Sequence, residues 1–95
     1  MVDQNDRLTP YLHLLRKFID DRIDAAGFEH EFLQRYKRDS SAWTPDEFAV
    51  LENIFVAADA YCADSNLRGA RDISEDQLRV RCAVAYDALK RLAAA

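Results

Sequence analysis

Four helix-start signals divide this chain and leave little room for anything but helices. The fullest is Thr44-Pro45-Asp46-Glu47. It has a hydroxyl that can cap, a proline where no N–H is needed, and a glutamate at N3 that can reach back to the cap. Thr9-Pro10 repeats the first two of these features. Asp24 is an N-cap flanked by Ile23 and Phe28, the two positions of a hydrophobic staple, and Ser74 pairs with Gln77 at N3 between Ile73 and Leu78. Trp43 and Phe48 bracket the third start in the same way. Behind each start the apolar residues recur at helical spacing: Tyr11, Leu14, Leu15 and Phe18; Phe28, Phe32 and Tyr36; Phe48, Leu51, Ile54, Phe55, Ala58, Tyr61 and Cys62; Leu78, Cys82, Ala85, Leu89 and Leu92. The signals predict helices over 9–22, 24–37, 45–62 and 74–92. With two glycines, two prolines and no strand-like alternation, the fold class is all-α. The expected architecture is a four-helix antiparallel bundle, a single small domain over residues 9–92 behind a flexible N-terminus at 1–8.

Ninety-five residues suffice for one core, burying roughly 60–65% of the unfolded chain's surface. The net charge of −4 argues against direct binding to nucleic acid. No apolar run approaches the ~18 residues of a membrane span, and MVDQNDRLTP lacks the basic end and apolar centre of a signal peptide, so the expected location is cytoplasmic, with no membrane partner. No metal site is expected, because the only histidines, His13 and His30, have no ligand-like spacing to other donors. Cys62 and Cys82 lie on apolar faces as core residues, and two isolated glycines make no phosphate loop, so no cofactor is expected. Asp64-Ser65-Asn66-Leu67 is a partial likeness to the phosphopantetheine-bearing Asp-Ser-Leu of acyl carrier proteins. An asparagine interrupts it, and Ser65 falls in a connection rather than at a helix start.

The charge distribution is the chain's second unusual feature. From Asp39 to Leu67 there is no lysine or arginine, yet there are six acids: Asp39, Asp46, Glu47, Glu52, Asp59 and Asp64. One reading is a solvated helix face, with Asp46 and Glu47 occupied at a helix start. Asp59 and Asp64 fit that reading less well. Asp59 falls near the end of the third helix, where a carboxylate opposes the dipole, and Asp64 falls just beyond it. An acidic stretch without bases suits a basic partner. A small acidic helical interaction module would account for it.

The run Leu51…Ile54-Phe55…Ala57-Ala58-Asp59-Ala60-Tyr61…Asp64…Leu67-Arg68, followed by Ile73-Ser74-Glu75-Asp76-Gln77-Leu78-Arg79 and then Ala88-Leu89 and Leu92, resembles the colicin D immunity family of bacterial self-protective proteins. Where the family often carries a proline before the second aspartate, this chain has Ala63. The resemblance implies a four-helix bundle without catalytic activity. It implies a protein that binds the nuclease domain of a cognate toxin one to one, covering a basic RNA-binding cleft with acidic side chains; the colicin D toxin cuts transfer RNA. It also implies that Asp59 and Asp64 are toxin-binding residues. Glu52, two helical turns before Asp59, can share its face. Tyr61 lies beside them, although its place in the apolar stripe favours core packing.

Overall fold

The computed structural model describes residues 7–62, 67, 69 and 72–94. Among these, four helices run in chain order: α1 (Thr9–Ile19), α2 (Ala25–Arg38), α3 (Pro45–Ala60) and α4 (Glu75–Ala94). Each packs on its neighbours in a closed square, α1 on α2 and α4, and α3 on α2 and α4. The 24 × 21 Å cross-section is that of two helices by two. Side-chain pairs give the directions. Phe18 meets Phe28 while Tyr11 meets Phe32, so α1 and α2 are antiparallel. Phe18 also meets Arg79 while Arg16 meets Tyr86, so α1 and α4 are antiparallel as well. The four-helix antiparallel bundle expected from the sequence is the fold observed.

Three of the four helix starts are built as their sequences require. The Asp24 side chain accepts from the Gly27 N–H at 2.7 Å. At α3, Thr44 and Glu47 form a complete capping box, with the Thr44 N–H donating to Glu47 Oε1 at 2.9 Å and the Glu47 N–H to Thr44 Oγ1 at 3.1 Å. Ser74 and Gln77 form the same reciprocal pair before α4, at 2.8 and 3.2 Å. Both members of the Ile73–Leu78 pair are buried.

The first start differs. Thr9 is already helical and Leu8 holds the cap position without a side-chain bond. Leu8 is 1% exposed and belongs to the core, and Arg7 is ion-paired, so the packed chain begins before residue 9 rather than after a flexible 1–8. Residues 1–6 lie outside the described residues. α1 also stops at Ile19, short of the expected 22. Asp21 takes the left-handed conformation (φ 62°), its N–H donates to the Phe18 carbonyl, and the Arg22 N–H donates to the Lys17 carbonyl. This is the paired-bond ending usually marked by glycine.

The core is threaded by aromatic rings. Phe18 stacks on Phe28 (centroids 4.9 Å), Phe28 on Phe32 (5.9 Å) and Phe32 on Tyr36 (5.5 Å), while Tyr36 tilts onto Phe55 (5.7 Å). Tyr11 sets its edge against Phe32 and Trp43. The two residues of the expected Trp43–Phe48 staple are placed unequally. Trp43 packs on Tyr11 and lies 5.2 Å from the Arg7 guanidinium, whereas Phe48, expected in the core stripe, is 50% exposed.

One polar knot fastens the start of α3 to the N-terminal segment. Glu47 is 6% exposed and accepts from Arg7 at 3.1 Å, and Arg7 also donates to the Ala42 carbonyl. Burial alone would raise the Glu47 carboxyl, but the Thr44 N–H and the Arg7 guanidinium outweigh it and hold its pKa below the usual value. Asp39 behaves alike. Burial opposes its charge, yet bonds from Ser41 and from the Tyr11 hydroxyl (2.7 Å) lower its pKa. A carboxylate whose folded pKa is depressed contributes stability that is present above its unfolded value and lost as pH falls through the folded one. The melting temperature should therefore hold between pH 7 and 5 and fall below about pH 4.5, near the unperturbed glutamate value. Glu47→Gln should melt lower at pH 7 but lose less on acidification. Thermal melts across pH, followed through the fluorescence of Trp43, check this, and parallel acid limbs in the two proteins would count against it.

Candidate functional site

The acids of the basic-free window do not all end in one place. Glu47 and Asp39 are consumed in the folding contacts above. Glu52 and Asp59 lie on the side of α3 that meets α2. The Tyr36 hydroxyl donates to Glu52 Oε2 at 3.1 Å, so a tyrosine from α2 fixes the direction of this half-buried carboxylate. Burial, and then that bond to Glu52, push the Tyr36 phenol above its usual pKa, so it stays a donor at neutral pH. Asp59 is exposed in the last turn of α3, a turn that carries no basic residue.

A third acid joins them from α2. Burial raises the pKa of Glu29, and the Asp59 carboxylate raises it further, with His30 pulling the other way. The two carboxylates thus face each other from α2 and α3, and together with Glu52 they make this side of the bundle a negative ridge. Glu29 lies outside the sequence window. The signal that could have found it is its position seven residues before Tyr36, two turns along the same face of α2.

Phe48 completes the ridge. Phe48, Glu52, Phe55 and Asp59 follow one another at i, i+4, i+7 and i+11, a stripe up the α2-facing side of α3. Phe55 leans inward on Tyr36, while Phe48 remains half exposed. Glu52 and Asp59 thus lie two turns apart on one side of α3, with Phe55 turned inward between them.

The other two expected site residues are placed differently. Tyr61 caps the C-terminus of α3, is half-buried and packs against the core. Asp64 lies outside the described residues, as does Ser65. The connection that holds them is anchored at both ends, because the Cys62 N–H donates to the Ile73 carbonyl at 3.0 Å and the Ile73 N–H to the Ala60 carbonyl at 2.9 Å.

Among the described residues no three His, Cys, Asp or Glu side chains converge as metal ligands. Cys82 is buried, and burial pushes its thiol up to about 12, which keeps it protonated and unreactive. A cleft of about 620 Å³ has Arg7, Arg35, Arg38 and Asp39 among its lining residues. Two of those four residues are already committed, Arg7 to Glu47 and Asp39 to Tyr11. Among the described residues, no helix is long and apolar enough to cross a membrane.

The described residues form a helical bundle with carboxylates and an exposed phenylalanine along one side of α3 and no converging metal ligands. Its family follows from sequence comparison: the profile of the bacterial self-protective colicin-like immunity family matches residues 7–92, and the chain belongs to that family. A member of this family protects the cell that makes it by binding a toxin, and acts as an inhibitor rather than a catalyst. No curated protein matches the chain.

Proposed function

We propose that this immunity protein neutralises a nuclease toxin of the colicin D type, a tRNase, by laying the α2–α3 ridge into the toxin's basic substrate cleft. The observation that supports the reading is the placing of Glu52 and Asp59 on the α2-facing side of α3, with Glu52 aimed by the Tyr36 hydroxyl and Asp59 exposed in a last turn without bases. An RNase cleft holds phosphates with Lys, Arg and His. Carboxylates set in those places form charge-assisted bonds, bidentate where arginine is the partner. A cleft of one sign also steers an acidic protein toward it, at up to ~10⁸–10⁹ M⁻¹s⁻¹ in low salt. Glu52 and Asp59 make the central contacts in this reading, and the exposed Phe48, one turn before Glu52, supplies an apolar anchor at the end of the stripe. Asp64 joins them from the α3–α4 connection on the strength of the sequence alone. Tyr61 acts chiefly by holding the end of α3 against the core. Binding is one to one, in the cytoplasm, without a cofactor and without direct contact to nucleic acid.

The test is co-expression with the C-terminal domain of the toxin encoded beside this protein's gene. Co-purification as an equimolar complex, with transfer RNA cleavage blocked in vitro, is the expected result. A complex that still cleaves RNA would refute occlusion of the substrate cleft. A toxin domain that acts on membranes or cell wall would refute the nuclease assignment and leave the family intact.

A further inference from the structure

A second surface is left over once the ridge is assigned. On the α4-facing side of α3, Val50 joins Val80 and Val84 of α4 around an apolar groove of about 310 Å³, and Val56, a neighbour of Glu52 and Asp59 on the helix surface, lies at its edge. Val56 is 52% exposed, Val80 65% and Val84 66%. Val50 also packs against the core, whereas Val80 and Val84 are not part of it. The buried stripe of α4 is Leu78, Cys82, Ala85 and Leu89, and Val80 and Val84 fall on its opposite face. A β-branched residue on a solvent-facing helix loses side-chain freedom without gaining burial, and neighbouring exposed valines mark a surface that something covers.

The charges around Val84 say what covers it. Arg81 stands three residues before Val84 and Asp87 three residues after it. Among the described residues neither has an ion-pair partner within the chain. Turned end for end about Val84, the pattern is complementary to itself: Arg81 falls opposite Asp87, and Val80 opposite Ala88. A two-fold contact needs this self-complementarity, because each interaction must occur twice with the roles exchanged. A heterologous partner would need only one half of the pattern.

We infer that a second copy of this chain docks here, with two α4 helices crossing antiparallel at Val84 and two reciprocal Arg81–Asp87 pairs flanking the valines. The surface is small, so the association is weak, on the order of 10–100 µM. The acidic ridge lies on the α2 side of α3, so a dimer carries two ridges and keeps one toxin per chain.

Sedimentation velocity of the purified protein, without toxin, over a range from micromolar to about 1 mM, tests the inference. A monomer–dimer equilibrium is expected. Val84→Glu should weaken it at least tenfold, and Arg81→Glu should do so as well, while circular dichroism remains unchanged because both positions are exposed. The double variant Arg81→Glu/Asp87→Arg reverses both charges and should bring the dimer back to within about threefold of the original constant. A protein that stays monomeric throughout, a dimer indifferent to Val84→Glu, or a charge swap that fails to restore association would each overturn the inference. The measurement involves no toxin, so its failure leaves the inhibitory reading untouched.

Discussion

Phe32→Ala should remove about 3–5 kcal/mol of stability, the usual cost of truncating a fully enclosed phenylalanine. Phe32 is the junction of the aromatic thread, stacked between Phe28 and Tyr36 on its own helix and touched edge-on by Tyr11 from α1. It is completely buried, so its loss opens a void that three rings border and none can fill without leaving its rotamer. A domain of this size is stable by only about 5–15 kcal/mol, so the melting temperature should drop by roughly 12 °C or more. Phe48→Ala is the internal comparison. Its ring is half in water already, and the variant should lose less than about 1 kcal/mol. Urea unfolding followed by Trp43 fluorescence distinguishes the two. Similar midpoints for both variants would mean that the thread does not carry the core.

The second large effect is on binding. Asp59→Asn, Asp64→Asn and Glu52→Gln should each raise the dissociation constant for the toxin domain by roughly 30-fold or more. Deleting one carboxylate of a desolvated charged pair typically costs ~2–5 kcal/mol, because the partner's cation is left buried and unpaired. Asp59 is exposed, and its charge opposes the helix dipole, so Asp59→Asn should melt at the same temperature or slightly higher. Glu52→Gln keeps an acceptor for the Tyr36 hydroxyl, which preserves the geometry while removing the charge. Asp20→Asn is the control. That acid pairs with Arg16 on the exposed side of α1, and its loss should leave affinity unchanged. Calorimetric titration of each variant with the toxin domain reads the result. If Asp59→Asn, Asp64→Asn and Glu52→Gln all bound at full affinity, the ridge would not be the inhibitory face, and another acidic surface such as Asp72, Glu75 and Asp76 would have to carry the contact.

What the sequence revealed about this fold was whatever depends on neighbours a few residues apart. The capping boxes at Thr44–Glu47 and Ser74–Gln77, the Asp24 cap and the Phe28–Phe32–Tyr36 line are all read within one or two turns, and all are present. Some of the rest depends on distance and some on local exceptions. Leu8 and Arg7 looked like a tail because what holds them lies far along the chain; Arg7 reaches Glu47 forty residues away. The end of α1 was missed because an aspartate occupies the left-handed position that glycine usually signals. Phe48 was assigned to the core because apolar spacing cannot tell the rim of a stripe from its centre. For the site, the charge gap pointed to α3, and Glu52 and Asp59 do share the side that faces α2. Glu29 was invisible because only the packing of α2 on α3 brings it beside Asp59.

The bridge between Tyr61 and Ile73 has an evolutionary consequence. Two backbone hydrogen bonds clamp the α3–α4 connection at its base and use no side chain to do so. Helix register on either side is therefore insulated from what lies between, and lengthening a loop whose ends are already closed costs only about 0.6 kcal/mol per doubling. A lineage whose toxin changes can thus rewrite this segment, Asp64 included, one substitution or insertion at a time, without passing through an unfolded inhibitor. If Asp64 meets the toxin as proposed, the clamp makes partner choice separable from folding.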